Sequence, residues 1–175
     1  MAILKKIFRY PIKGLSGESL NETLLEKDQV LSGDREYAFA RSQVSFDEKN
    51  PVYLRKTNFL ALVKEEKLAK LSTEFNSKLK RLIIKVDKKT VLDEMLINEI
   101  NVNKVEVFFQ KYLNLGSNNK PKLVQGTKYE NDKNLKHSFS DLPEKAISII
   151  NLNTILDFEK KIGKNIDPAR FRSNL

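Results

Sequence analysis

The stretch IFRYPIKGLSGESL, residues 7–20, determines how the N-terminal part of the chain is built. The apolar positions at its start extend back along the chain and predict a first strand over residues 2–9. Pro11 lacks a backbone N–H, so this strand must bend or end there. Two glycines permit the tight backbone that follows, and residues 18–25 are predicted to form a second strand. The pattern is therefore a strand, a tight turn that carries Lys13, and another strand.

Many short strands and a few helices are predicted in the rest of the chain. The strands are expected at residues 36–42, 59–63, 82–86, 90–92, 121–125 and 146–150. The helices are expected at residues 65–76, 103–113 and 153–162, with Asn151 or Asn153 capping the last helix and Gly163 just past its end. Polar residues 127–136 are expected to be a mobile loop, and residues 169–175 an extended end piece. Together these elements predict a β-rich α+β fold that contains a barrel.

Composition limits the classes of protein that the chain can belong to. Its 175 residues are 40% hydrophobic, which is enough for a core in one domain, or in one domain plus part of a second. No apolar run approaches the roughly 20 residues of a membrane span, and the apolar start is too short for a signal peptide. The chain has no cysteine, which excludes disulfides, thiolate nucleophiles and cysteine-based metal sites within it. We therefore expect a cytoplasmic protein.

The charge of the chain raises the question of nucleic-acid binding. The net charge is +9 and the isoelectric point is about 9.6, but only seven of the 32 basic residues are arginines. The lysines are scattered and often stand beside glutamate or aspartate, as in KEEKLAK, which is typical of a solvated face. A basic RNA-associated domain stays open as an alternative, although the pattern does not favour it.

Basic residues at turns are the strongest candidates for a binding site. The chain has no P-loop, no GxSxG motif and no dinucleotide-binding glycine motif, and its lone histidine, His137, cannot form a metal site without other ligands. Lys13, Arg35 and Arg172 each lie in a turn or an extended piece near glycine or proline, where they could together hold a phosphate or another anion. In the alternative interpretation, Arg35 pairs with Asp34 or Asp141 and Lys13 is solvated.

Five segments in order resemble the MOSC-domain family with its N-terminal β-barrel module, which includes bacterial proteins and the mitochondrial amidoxime-reducing component. The likeness extends over essentially the whole chain. The segments are YPIKGLSGESL (10–20), GDREYAF (33–39), FARSQVSFDEKNPVYLRKTNFLALV (39–63), HSFSDLPEKAISIINLNTILDFEKKIG (137–163) and DPARFRSNL (167–175).

The resemblance implies a fold, a cofactor and a set of site residues. Residues 1–125 would be the N-terminal β-barrel domain, and residues 126–175 would begin the MOSC domain with its first strand, helix and strand. The family binds the molybdenum cofactor, a pterin with a phosphate end, and includes oxidoreductases and sulfur carriers that work with redox partner proteins. Seven positions match residues that hold or line the cofactor pocket in that family: Lys13, Gly14, Arg35, Asn151, Thr154, Arg172 and Asn174.

The chain departs from the family pattern in two ways. Gly14 stands where the family often has a serine, so one hydroxyl donor is missing. The family's molybdenum-binding cysteine lies downstream of the segment that matches residues 167–175, and this chain stops there. The sequence therefore predicts a fragment of a molybdenum-cofactor protein that is inactive alone, with an exposed apolar patch and an unpaired strand edge near residues 147–175. A non-catalytic interaction module stays open as an alternative.

Overall fold

The computed structural model describes residues 2–126 and 137–175, and within these ranges the chain is a mixed α+β protein. The strands are β1 (Ile7–Arg9), β2 (Glu18–Leu20), β3 (Tyr37–Ala40), β4 (Ser72–Asn76), β5 (Arg81–Val86), β6 (Lys89–Met95) and β7 (Lys122–Gln125). The α-helices are α1 (Glu99–Tyr112) and α2 (Leu152–Ile162). Short 3-10 helices span Lys56–Asn58, Glu66–Lys70 and Pro168–Phe171.

All the ladders between these strands are antiparallel, and they form three small sheets. Strand β1 pairs with β2, β3 pairs with β7, and β4, β5 and β6 form a three-stranded meander. The predicted α+β class is confirmed. Across the described ranges the strands close no barrel.

Strand β3 lies between two apolar clusters because its successive side chains point to opposite faces. Tyr37 and Phe39 belong to the larger cluster, where the ring of Phe39 lies 4.4 Å from that of Phe109 on α1. Ala38 and Ala40 face the smaller cluster, which also contains Phe59, Val124 and Phe139. All four residues of β3 are buried. This strand therefore fixes the position of the segments before and after it.

Most of the predicted elements with strong periodicity are present. Strand β5, helix α1 and strand β7 lie where they were predicted. Helix α2 begins directly after Asn151, whose side chain accepts a hydrogen bond from the amide of Asn153 at 2.9 Å. It ends at Gly163 in the left-handed conformation, with φ of 66°. The predicted mobile loop at 127–136 lies outside the described residues.

Three predicted elements are wrong. Residues 65–76 are a 3-10 turn followed by strand β4 instead of one helix, because alternate residues of β4 face inward and the strand pairs with β5 along its length. Residues 59–63 make one isolated bridge, between Phe59 and Ala40, instead of a strand. Residues 146–150 form no ladder with the described strands, although Ser148 and Ile150 bond to the chain end.

The C-terminal part of the chain exposes several large apolar side chains, as predicted. They are Ile149, Leu152, Leu156, Phe158, Ile162 and Phe171. The backbone at the chain end is bonded on one side, since the amide of Leu175 donates to the Ser148 carbonyl and its own carbonyl accepts from the amide of Ile150 at 2.8 Å. Residues 169–171 belong to a 3-10 turn and are not extended.

None of the helices in residues 2–126 and 137–175 has both the length and the apolar character that crossing a bilayer requires.

Candidate functional site

Two segments from different parts of the N-terminal region run side by side and form the base of the candidate site. The amide of Arg35 donates to the carbonyl of Tyr10 at 2.7 Å, and the amide of Tyr37 donates to the carbonyl of Pro11 at 3.0 Å. The amide of Lys13 returns a bond to the carbonyl of Tyr37 at 2.8 Å. These bonds hold the turn that carries Lys13 beside the turn that carries Arg35.

Lys13 is buried and its ammonium group is held by the segment 137–141. The side chain is only 5% exposed. Its Nζ donates to the carbonyl of Phe139 at 2.9 Å, to the carbonyl of Ser140 at 3.5 Å and to Oδ1 of Asp141 at 2.5 Å. Burial lowers the pKa of Lys13 more than the bond to Asp141 raises it. The expectation of a solvated Lys13 is therefore wrong.

Asp34 and Arg35 form the second part of the site. Gly33 takes a positive φ of 75°, which a glycine adopts without strain, and the chain then turns so that the carboxylate of Asp34 is buried. That carboxylate accepts a bond from the amide of Tyr10 at 2.7 Å and forms an ion pair with the guanidinium of Arg35. This ion pair confirms one part of the alternative interpretation, the pairing of Arg35 with Asp34.

Arg172, near the C-terminal end of the chain, lies beside Arg35 at the candidate site. It follows the 3-10 turn Pro168–Phe171 and has a left-handed backbone with φ of 52°, while Arg35 has φ of 50°. Its guanidinium lies over the ring of Tyr10, 4.3 Å from the ring centre, and the guanidinium of Arg35 lies 5.3 Å from the same centre. Nη2 of Arg35 also donates to the carbonyl of Arg172 at 3.3 Å. Residues with unusual backbone angles often cluster at functional sites.

Lys13, Arg35 and Arg172 thus come together, and we call these three residues the basic cluster. Burial lowers the pKa of Arg172, and the charge of Arg35 lowers it further. The charges of both arginines also lower the pKa of Lys13. Cations that lie close enough to lower the pKa values of Lys13 and Arg172 create a positive potential, which favours an anion.

The ring of Tyr10 lies beneath both arginines of the basic cluster, although no sequence pattern assigned Tyr10 to the site. The ring is buried against the backbone of Gly17, where an added Cβ would lie 2.6 Å from the ring atom Cε1. The phenol also donates to the carbonyl of Ser173 at 3.4 Å. The proximity of Tyr10 to Lys13 in the chain was visible, but its stacking with Arg172 depends on the tertiary fold.

Of the other predicted site residues, Gly14, Asn151 and Asn174 make contacts that support the fold, and Thr154 is exposed. Gly14 has φ of 81° and lies so close to the carbonyl of Leu60 that a Cβ would be 3.0 Å from that oxygen. Asn174 is 1% exposed and uses its side-chain amide to bond Phe8 and Ser148. Asn151 caps α2, and Thr154 is exposed on its first turn. Across residues 2–126 and 137–175, neither Asn151 nor Thr154 bonds to the basic cluster.

The histidine has a packing role. His137 packs against Phe139, with ring centres 4.9 Å apart, and against Phe46 at 5.5 Å. Burial lowers its pKa, so the neutral imidazole is favoured. In the part of the chain that the structure describes, no group of three or more His, Cys, Asp and Glu side chains could hold a metal ion.

Comparisons with protein-family models, with curated proteins and with solved structures gave no match to this chain.

Proposed function

We propose that the basic cluster binds the phosphate end of an anionic pterin, and that the chain is a cofactor-binding module of the molybdenum-cofactor type. The observation that carries this proposal is that Arg35 and Arg172 both lie over the ring of Tyr10, with Lys13 close enough for their charges to act on it. A dianionic phosphate needs several donors, and two guanidinium groups offer paired N–H donors in a fixed geometry. The MOSC resemblance supports this proposal because it assigns the same three residues to the cofactor.

The residues fit the phosphate end of that cofactor better than its metal end. The basic cluster supplies charge and donors of the kind that phosphate requires. A molybdenum–dithiolene centre takes a soft thiolate ligand, and the sequence contains no cysteine. We therefore derive no redox or sulfur-transfer step from this chain. The same proposal includes a boundary between two domains at residue 125, a closed barrel and a redox partner protein. It also includes four further residues that would line the cofactor pocket: Gly14, Asn151, Thr154 and Asn174.

A second candidate is a non-catalytic interaction module, and the exposed apolar side chains of the C-terminal part favour it. Ile149 is 76% exposed and Phe171 is 51% exposed. Large exposed apolar groups that lie together often mark contacts with another protein. The RNA alternative has less support because many basic side chains pair with carboxylates, such as Arg81 with Asp93 and Lys104 with Glu94.

Replacing Arg35 with alanine is expected to weaken pterin binding by roughly 1.5–3 kcal/mol, about tenfold to more than a hundredfold, since a bond to a charged group is lost. The test is to mix the purified chain with isolated molybdenum cofactor and separate free pterin by gel filtration. The retained pterin is then quantified by its fluorescence after oxidation. Arg172→Ala should also weaken binding, and it breaks none of the ion pairs among residues 2–126 and 137–175.

Arg81→Ala is the matched control for these two variants. It removes the same charge, but Arg81 lies in β5 and pairs with Asp93 at 2.5 Å on the exposed face of the meander. It should retain as much pterin as the wild type. Retention by Arg35→Ala and Arg172→Ala at the wild-type level, or no retention by the wild type, would contradict the proposed function.

A further inference from the structure

The two carboxylates of the site differ in how firmly they are held. Asp34 is 1% exposed, and its carboxylate is fixed by the amide of Tyr10 and by the guanidinium of Arg35. The side chain of Asp141 is 62% exposed, although it contacts the Nζ of Lys13 at 2.5 Å. Rotation about its side-chain bonds would carry the carboxylate of Asp141 into solvent and would break its bond to the Nζ of Lys13.

The charges of the site are unevenly matched. Among the described residues, two carboxylates form ion pairs with the three cations of the basic cluster: Asp34 pairs with Arg35, and Asp141 pairs with Lys13. Departure of Asp141 would leave two positive charges in excess and would free one ammonium donor of Lys13, which otherwise bonds two backbone carbonyls. This excess charge would match a dianionic phosphate.

We propose that Asp141 is an internal competitor of the ligand, which occupies the phosphate-binding donor of Lys13 until an incoming phosphate group displaces it. This inference rests on the proposed function of the basic cluster. Asp141 accordingly sets the affinity and the charge preference of the site. A dianion, which can neutralise both excess charges, displaces the carboxylate more readily than a monoanion does.

The backbone of Asp141 stays in place during this exchange. The phenol of Tyr53 donates to the carbonyl of Asp141 at 3.0 Å, and the amide of Phe139 donates to the carbonyl of Arg35 at 2.9 Å. These bonds hold the segment 137–141 against the site while the side chain moves. Loss of the Tyr53 bond should loosen the segment and make the carboxylate easier to displace.

The test is a calorimetric titration with inorganic phosphate at pH 8, where phosphate is mainly a dianion. Asp141→Asn should bind phosphate about tenfold more tightly than the wild type, because a competing charge close to the ammonium is removed. Asp157→Asn is the matched control. It removes the same charge from an exposed position on α2, where Asp157 lies 3.8 Å from Lys160. Its phosphate affinity should equal that of the wild type.

A second variant keeps the test decisive if Asp141→Asn folds poorly, which its melting temperature will show. Tyr53→Phe changes no charge and should raise phosphate affinity about twofold to threefold. Unchanged or weaker binding by both variants, or an equal gain in Asp157→Asn, would overturn the role of Asp141 while leaving the proposed function intact. Absence of phosphate binding in the wild type and in all variants would overturn both.

Discussion

Replacing Gly126 with alanine is expected to destabilise the protein by about 3 kcal/mol, the upper end of the usual costs of overpacking. A Cβ on Gly126 would lie 2.1 Å from the carbonyl oxygen of His137 and 3.1 Å from its carbonyl carbon. Both are backbone atoms, so no side-chain rotation can relieve the overlap. Strand β7 and the segment 137–141 would have to move apart.

That movement would also displace residues of the candidate site. The amide of Gly126 donates to the carbonyl of Glu36 at 2.8 Å, and the amide of Phe139 donates to the carbonyl of Arg35 at 2.9 Å. The carbonyl of Phe139 in turn accepts from the ammonium of Lys13. We therefore expect Gly126→Ala to weaken phosphate binding as well as stability.

Urea denaturation followed by circular dichroism measures the stability change, with an unchanged m-value indicating that only stability has changed. Gly116→Ala is the matched control, because its Cβ would meet only the side-chain amide of Asn119 at 3.3 Å. The control should stay within about 0.5 kcal/mol of the wild type. Equal stabilities for the two variants would show that the chain accommodates a Cβ at position 126.

The elements that the sequence predicted correctly are those fixed by local chemistry. The cap of Asn151 and the left-handed Gly163 involve neighbouring residues only, so their types and spacing define the ends of α2. The prediction of a helix over residues 65–76 was wrong because the spacing of Leu68, Leu71 and Phe75 fits a helix as well as a turn followed by a strand. Pairing with β5 favours the strand over the helix, and no local sequence pattern could predict that pairing.

The sequence analysis selected the three cations of the candidate site and offered an aspartate partner for Arg35, but it did not predict the partners of Lys13 and Arg172. Lys13, Arg35 and Arg172 stand at turns, and the family resemblance linked them. The bond from Lys13 to Asp141 joins residues 128 positions apart, and the stacking of Arg172 on Tyr10 likewise joins the two ends of the chain. Such contacts follow from the path of the whole backbone, so composition and spacing could not reveal them.

Asn174→Ala is expected to lower the free energy of unfolding by about 3 kcal/mol. The side-chain Oδ1 of Asn174 accepts bonds from the amide and the hydroxyl of Ser148 at 3.2 and 3.1 Å, and its Nδ2 donates to the carbonyl of Phe8 at 3.1 Å. Alanine would leave these partners unsatisfied near the interior, at a cost of about 1–3 kcal/mol for each buried group. Asn153→Ala, on the exposed face of α2, is the matched control and should change stability by less than about 0.5 kcal/mol.

The same variant separates the two roles that Asn174 could have. Asn174 ties β1 to the chain end that carries Arg172, so its loss should release the guanidinium from Tyr10 and weaken phosphate binding together with stability. A residue that only contacted the ligand would lose binding at unchanged stability. Urea denaturation and phosphate titration of Asn174→Ala therefore distinguish a clamp from a ligand contact. Weaker phosphate binding at wild-type stability would mean that Asn174 contacts the ligand directly. A loss of both stability and phosphate affinity would mean that Asn174 contributes to binding by holding Arg172 in place.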